Sequence, residues 1–370
     1  MTRNLIVGGG VYGAAVAFEL ASRGEEVRLI EADCIRAGAS AGPGSRGVRA
    51  NYRDYRELPL MAMARTLWPG LHETLDVPAL FERTGQLILL ERSMDFGNAE
   101  ARVALQNRHG IPTELLGQDA LREREPDLTP AILGAVWCPD DGVADHSATT
   151  LAFANAATAA GAEISEGITV TGLVTRGGRV VAVACDQGKE IEVSGSLFLL
   201  ANSGVPALVS PWINLPTWNL PFQVLLSHPL PDNPVRHLVG HASRTLSLKR
   251  EKDGRLMISG GRPGHWDHEA DKGIAIPQEV AANIADAVAV YPSLEGLEVD
   301  IADAGHLEAD SVDAIPIIDR LPGIKNVLYA TGWSGHGWAI APAITKLITA
   351  WALEDARPQL LAPFSFGRFG

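Results

Sequence analysis

A chain of 370 residues with 46% hydrophobic and 20% charged residues is long enough to bury a sizeable core and to divide into two or three domains. Its formal net charge of −13 argues against nucleic acid and anionic membrane surfaces as partners. The three cysteines, Cys34, Cys138 and Cys185, are scattered and form no C-x-x-C, so they suggest neither a disulfide framework nor a zinc site and fit reduced thiols in a cytoplasmic protein.

The chain opens with Met1-Thr2-Arg3 and a four-residue apolar run that breaks into glycines. That run is a first strand rather than a signal peptide. No stretch approaches 18 uninterrupted apolar residues, so no membrane span is expected. Leu5 to Val7 reads as a buried strand, and Gly8, Gly10 and Gly13 fit G-x-G-x-x-G at a strand-to-helix turn. Ala14, Ala17, Leu20 and Ala21 recur at helical spacing. Gly24 ends that helix, Val27 to Ile30 is a second strand, and Glu31 closes it 21 residues after Gly10. The glycines permit a tight turn, close approach of a pyrophosphate and close packing of helix on strand. The helix N-terminus offers unpaired N–H groups to phosphates, and Glu31 can accept from the ribose hydroxyls of an adenosine. A 2′-phosphate would be repelled by Glu31. The unit predicts a dinucleotide site.

A loop of small residues follows, from Ala37 to Arg49, with Arg46 and Arg49 three apart. Small side chains admit a flat ligand, and arginines can neutralise anions at its edge. Further elements are expected as a helix from about Pro59 to Glu73, a strand over Thr84 to Glu91 and a helix over Met94 to His109. The strand Gly134 to Cys138 ends in a turn, and Asp145 or Ser147 can cap a helix to about Ala160. Ile168 to Leu173 and Arg179 to Cys185 form short strands, and Ser196 to Ala201 runs as an apolar strand into Asn202-Ser203-Gly204. Strands at Val224 to Ser227, Thr245 to Lys249 and Arg255 to Ser259 predict an antiparallel sheet walling a substrate cavity. A helix begins at Pro277 and ends near Val290. The last unit is a strand over Asn326 to Ala330, a turn Thr331 to Trp338, and a helix from about Ile340 to Glu354 with Pro342 in its first turn. It places a second helix N-terminus, hence a second positive dipole end, against another part of the ligand.

An N-terminal dinucleotide motif combined with a C-terminal strand–glycine–helix is a flavoprotein layout. The whole chain resembles the D-amino-acid oxidase and sarcosine oxidase superfamily of FAD-dependent amine oxidoreductases. The matching pieces are Gly8 to Gly13, Glu31, the Gly38–Arg49 loop, Ala201 to Gly204, and Gly332 to Gly337, the last being most similar to the sarcosine oxidase and sarcosine dehydrogenase side. The resemblance implies an α/β fold of the two-domain α+β flavoprotein kind. A discontinuous Rossmann-like FAD-binding domain would comprise 1–83, 145–204 and 303–370. A substrate-binding domain with a largely antiparallel sheet would comprise 84–144 and 205–302. It implies FAD, a small amine or amino-acid substrate, and O2 or another electron acceptor; the FAD is expected to be non-covalent because no cysteine lies near the stretch through which monomeric sarcosine oxidases attach it. Cofactor contacts are expected from Gly8, Gly10, Val11, Tyr12, Gly13, Glu31, Ala32, Arg36, Ser40, Arg46, Gly47, Val170, Ala201, Asn202, Ser203, Gly332, Trp333, Ser334, Gly335, His336, Gly337 and Trp338. The family places the residue matching Arg46 beside the flavin ring, that matching Arg49 on the substrate carboxylate, and the final glycine-rich turn around the flavin pyrimidine.

The chain also departs from the family pattern. Where many relatives read A-G-L-R-P, it reads Ala304-Gly305-His306-Leu307-Glu308, without the carboxylate-binding arginine and without the cysteine that attaches FAD in monomeric sarcosine oxidases. Ala339 follows Trp338 where those enzymes carry a lysine, and no oxygen-activating lysine is evident near Arg255 to Ser259. Arg49, His306 and Trp338 are therefore the substrate-side candidates. His306 can line the flavin, bond substrate or be a satisfied strand histidine. Within the glycine turn His336 reads as structural rather than as a proton shuttle, and Trp333 and Trp338 cover the cofactor or pack the core. Arg262 reads as a solvated turn residue, and the His265, Asp267, His268, Glu269, Asp271 cluster as a solvated loop. The expected reaction is hydride loss from the carbon next to an amine nitrogen onto flavin N5, with hydrolysis of the imine. The alternative is an FAD-binding, non-catalytic assembly subunit of a larger complex.

Overall fold

The computed structural model describes residues 3–39, 41–186 and 188–370. One sheet has six strands in the order Ile317–Arg320, Val327–Thr331, Leu197–Leu199, Asn4–Val7, Val27–Ile30 and Glu163–Ser165. All neighbours are parallel except the edge strand Ile317–Arg320. Its central strands are buried on both faces, as parallel strands between two covering layers must be. On one face the helix Val11–Ala21 packs against His146–Ala159 and Gly337–Glu354. On the other lie the hairpin Val170–Arg176/Arg179–Cys185 and the helix Val205–Val209.

The second large sheet has eight strands, in the order Val299–Asp303, Val224–Ser227, Leu256–Ser259, Ser247–Arg250, Leu238–His241, Gln86–Leu90, Gly134–Cys138 and Glu114–Gly117. It is antiparallel except where Leu238–His241 runs parallel to Gln86–Leu90. The period-2 alternation puts Leu87, Leu89, Val239, Leu248 and Ile258 beneath the helix Pro277–Val290. The opposite face of the sheet is left to line a cleft. A small sheet of Arg46–Val48, Gly142–Ala144 and Phe81–Glu82 joins segments expected in different domains. The pair Thr217–Pro221 and Leu307–Ser311 does the same.

Several boundaries differ from the sequence reading. The expected helix over 59–73 is two helices, Leu58–Leu67 and Leu71–Leu75, broken at Pro69-Gly70, where proline lacks an N–H and glycine is a poor helix former. The C-terminal helix starts at Gly337, three residues before Ile340, so Pro342 lies in its second turn rather than its first. Asp145 does cap its helix, accepting from the Ala148 N–H at 2.8 Å. Among the described residues, no helix is long and apolar enough to cross a membrane.

Candidate active site

A cleft of about 1220 Å³ lies between the carboxyl ends of the parallel strands and the uncovered face of the eight-stranded sheet. Its first part is made by the glycine turn. Gly8 has φ +112°, and a Cβ there would lie 2.7 Å from the Leu200 carbonyl oxygen. At Gly13 a Cβ would collide with the Gly8 carbonyl, whereas at Gly10 it would meet nothing within 4 Å. The first and third glycines thus serve packing, and the second leaves the backbone open towards the cleft. Glu31 accepts from the N–H groups of Gly9 at 2.5 Å and Asp33 at 3.0 Å, which fixes its carboxylate at the cleft edge.

Two helices begin at this cleft, Val11–Ala21 and Gly337–Glu354. Neither has a side-chain cap or an acidic residue in its first turn. Their orphan N–H groups leave partial positive charge at both ends. Between them, Asn202 Nδ2 donates to Glu308 Oε2 at 3.4 Å, and Glu308 Oε1 has no hydrogen-bond partner. Burial pushes the Glu308 carboxyl up to about 7. The sequence reading names Glu308 only as the end of a stretch that lacks an arginine and a cysteine, and gives it no role. The signal available there is an acid inside the strand Leu307–Ser311 that pairs across to Leu220.

Towards the eight-stranded sheet the cleft is cationic. Arg49 Nη1 donates to the Asn51 carbonyl at 3.0 Å, and Arg46 donates to the Pro43 and Ala41 carbonyls at 2.9 and 3.1 Å. By contrast Arg53, buried beside them, takes Glu57 at 3.2 Å. Burial lowers Arg46 and Arg49 to about 10. Lys249, 4% exposed, also lines the cleft, and burial followed by the neighbouring Arg46 charge lowers it to about 8. The sequence reading finds no lysine near Arg255 to Ser259. Lys249 stands on the adjacent strand, directly opposite Met257, a position only the pairing register reveals.

The remaining predicted residues divide. His306 lines the cleft with Nε2 3.8 Å from Asp303 Oδ2. His336 precedes the C-terminal helix, its carbonyl accepts from Arg53 Nη2 at 2.9 Å, and burial holds its ring neutral, well below the usual histidine range. Trp333 and Trp338 both line the cleft and pack inward, Trp333 on Tyr12 and Trp338 on Trp68. Val11, Ala32, Gly47, Val170, Ala201, Ser203, Ser334 and Gly335 also line it.

Three predicted contacts do not. Gly13 faces the first strand, Gly332 packs on Ser311, and Arg36 sits exposed in a left-handed turn with φ +75°. Ser40 falls outside the described residues. Arg262 is not solvated: it pairs with Glu279 at 2.7 Å and Asp286 at 2.6 Å. The His265–Asp271 cluster forms part of a hairpin, and among the described residues no group of His, Cys, Asp and Glu could hold a metal.

A family profile described as FAD dependent oxidoreductase matches residues 3–351. The chain belongs to this DAO family. It is an FAD-dependent oxidoreductase of the amine and amino-acid oxidase type. Sarcosine oxidase subunit beta from an Arthrobacter species is 26% identical over 99% of this chain and 90% of its own length. Glycine oxidase from Geobacillus kaustophilus is 27% identical over 98% of this chain and 96% of its own. Among solved structures, L-proline dehydrogenase from P. horikoshii has the same fold, with a TM-score of 0.91 at 24% identity, covering 100% of this chain and 97% of that one.

Proposed function

We propose that this protein oxidises the C–N bond of a small amino acid or secondary amine to an imine, which water then hydrolyses. In this reading 1–83, 145–204 and 303–370 hold the cofactor, and 84–144 and 205–302 form the substrate side. The open backbone at Gly10, the two uncapped helix ends and Glu31 fit an FAD held without a covalent bond. FAD, when bound, supplies the two-electron acceptor for the hydride lost from the carbon beside nitrogen. The chain's own residues bind and orient. Glu31 would accept from the ribose hydroxyls, the N-terminus of Val11–Ala21 would hold the pyrophosphate, and that of Gly337–Glu354 would offer its N–H groups to the polar edge of the flavin. Trp338 and His306 border the space left for substrate. Cytoplasmic residence agrees with the reduced cysteines.

The observation that carries the reading is Arg49. It is a guanidinium lining the cleft whose hydrogen bond goes to a backbone carbonyl, while its neighbour Arg53 takes the nearby carboxylate. A planar donor fork of this kind matches a substrate carboxylate. The relationship to a protein named sarcosine oxidase subunit beta supports an amine substrate. The test is anaerobic titration of the purified yellow protein with D-amino acids, N-methyl amino acids and cyclic imino acids. Bleaching of the flavin absorbance by a member of the panel is expected. A flavin that stays oxidised throughout would favour the assembly-subunit reading. Peroxide formation against reduction of an artificial acceptor then separates oxidase from dehydrogenase.

A further inference from the structure

One cation of the cleft has no task in the reading above. Lys249 stands on the strand Ser247–Arg250, next to Leu248, which lies beneath the helix Pro277–Val290. Strand alternation therefore turns Lys249 to the opposite face of the eight-stranded sheet, where it lines the cleft. Met257 is directly opposite it, and Leu238 follows in register on its other side. The strand Arg46–Val48 and the loop before it lie over this row. A Cβ on Gly47 would lie 3.2 Å from a Leu238 methyl carbon, and one on Gly44 2.9 Å from the Met257 sulfur. Lys249 is thus almost wholly buried under the segment that carries Arg46 and Arg49.

Its ammonium is unpartnered. Among the described residues it makes no hydrogen bond, and what acts on it is burial and the charges of Arg46, Glu251 and Arg49. The carboxylates of this end have donors of their own. Glu251, just past the end of the strand, accepts from the Ser45 N–H at 3.0 and 3.1 Å and from its hydroxyl at 2.9 Å. Asp141 accepts from the N–H groups of Ala50 at 2.7 Å and Asn51 at 3.0 Å. Glu57 takes Arg53 at 3.2 Å, and Asp303 accepts from the Gly305 N–H at 3.3 Å. Burying an ammonium without a partner is costly, and an incoming anion relieves that cost.

The remaining question is which anion. In the reading above the pyrophosphate of FAD belongs at Gly10 and the start of Val11–Ala21, and the oxidised flavin ring carries no charge. One substrate carboxylate is matched by the planar fork of Arg49. Lys249 is left for a second anionic group. A lone ammonium between Leu238 and Met257 offers a point charge, not a fork or a set of backbone N–H groups, and so suits a single carboxylate.

We propose that Lys249 selects substrates with two carboxylates: the α-carboxylate of an amino acid lies at Arg49, and a second one, on its side chain or its N-substituent, lies at Lys249. The apolar flanks strengthen such a pair by lowering the local dielectric. An uncharged amide in the same place keeps a hydrogen bond but not the charge pairing. The proposal rests on the Arg49 reading.

The test uses the holoenzyme and ligands without an amine, so that no turnover intervenes. Flavin absorbance changes give Kd for acetate, for succinate, glutarate and adipate, and for the half-amides succinamate, glutaramate and adipamate. At least one diacid is expected to bind about tenfold or more tighter than both acetate and its own half-amide. In Lys249→Met that advantage should shrink to about threefold or less.

The wild type supplies a second measurement that needs no variant. Burial, then the Arg46 charge, lowers Lys249 to about 8, so its ammonium is charged below that value and neutral above it. Burial lowers the facing Arg46 and Arg49 only to about 10. His146, from the helix His146–Ala159, is lowered to about 3 by burial and is neutral throughout. Glu251 is the acid facing Lys249, and the flanking Leu238 and Met257 do not titrate. The diacid advantage should therefore fade severalfold as the pH is raised from about 7 to about 9.

An advantage that survives Lys249→Met, or that stays constant across that pH range, overturns the proposal. If no diacid gains over acetate and its half-amide, the proposal is overturned while Arg49 stands. Acetate binding undiminished in Arg49→Ala removes the anchor and overturns both readings.

Discussion

Tyr12 and Trp333 lie face to face, with ring centroids 3.8 Å apart and planes 10° from parallel, and the Tyr12 hydroxyl donates to the Gly337 carbonyl at 2.6 Å. The pair joins the first turn of the N-terminal helix to the turn before the C-terminal helix, so the two helix ends that open on the cleft are held as one unit. Burial keeps the Tyr12 phenol neutral, well above its ordinary value, and therefore a donor. Tyr12→Phe keeps the stack and removes the hydroxyl's hydrogen bond to the Gly337 carbonyl. It should cost about 1–2 kcal/mol in chemical denaturation and weaken FAD retention. Tyr12→Leu, which also loses the stack, should cost more. Equal losses for the two variants would mean that the stack contributes nothing.

Glu31 should govern FAD affinity. Its carboxylate is held by the Gly9 and Asp33 N–H groups, and Glu31→Arg replaces an acceptor with a cation. A charged hydrogen bond of about 1.5–3 kcal/mol corresponds to a rise in Kd of about ten- to a hundredfold or more. Fluorescence titration of the apoprotein with FAD measures it. Undiminished affinity would sink the ribose assignment.

The flavin should be released by acid. Cys34 is exposed and Cys138 and Cys185 are buried in the core, and no cysteine lines the cleft among the described residues. Trichloroacetic acid should give a colourless pellet and a yellow supernatant. A yellow pellet that turns colourless in His306→Ala would assign an unexpected bond to His306.

Arg49→Lys keeps the charge but loses the fork. With a carboxylate substrate, kcat/KM should fall about ten- to a hundredfold or more, since a charge-assisted bond is worth about 1.5–3 kcal/mol and each ~1.4 kcal/mol is tenfold. An analogue with the carboxylate replaced by an uncharged group should lose less. Steady-state kinetics on the pair decide the matter: equal losses in Arg49→Ala would make Arg49 a flavin or structural residue.

Glu308 should leave a signature in the pH dependence of stability. Its carboxyl is raised from 4.5 to about 7, chiefly by burial. The folded protein therefore keeps a proton that the unfolded chain has lost. The contribution is fully present below about pH 4.5 and is lost as pH rises through 7. Glu308→Gln cannot titrate, so its apoprotein should lose less stability between pH 5 and pH 8 than the wild type, by up to about 3 kcal/mol. Urea denaturation at the two pH values checks this. Parallel losses in both proteins would mean that Glu308 ionises freely.

The first strand–glycine–helix–strand unit is legible in the sequence because each glycine has a local steric reason and Glu31 falls at a set distance from it. The helix Pro277–Val290 is legible because proline marks its first turn and an apolar period runs through it. The start of the C-terminal helix is not. Gly335 and Gly337 read as turn residues, yet Gly337 and Trp338 are already helical, and their orphan N–H groups face the cleft. Lys249 and Glu308 are hidden for another reason. Each sits in a strand whose facing depends on which distant strand pairs with it, and residue spacing carries no record of that partner. Arg262 illustrates the same limit: its partners, Glu279 and Asp286, lie one turn and three turns along a helix that begins fifteen residues later.

The strand Leu197–Leu199 lies between Asn4–Val7 and Val327–Thr331, which sets an order on the ribosome. The strand Asn4–Val7 precedes the other strands of this sheet, but one of its two neighbours appears only near residue 199 and the strand on the far side of that neighbour only near 331. At about 5–20 residues per second, the opening apolar strand waits on the order of tens of seconds with an edge unpaired. The parallel sheet beside the cleft is thus complete only once the segment near 331 has been made. Until then the nascent chain presents an unpaired apolar strand edge, the kind of surface that chaperones shield, and a bound cofactor can stabilise the fold by mass action only after that point.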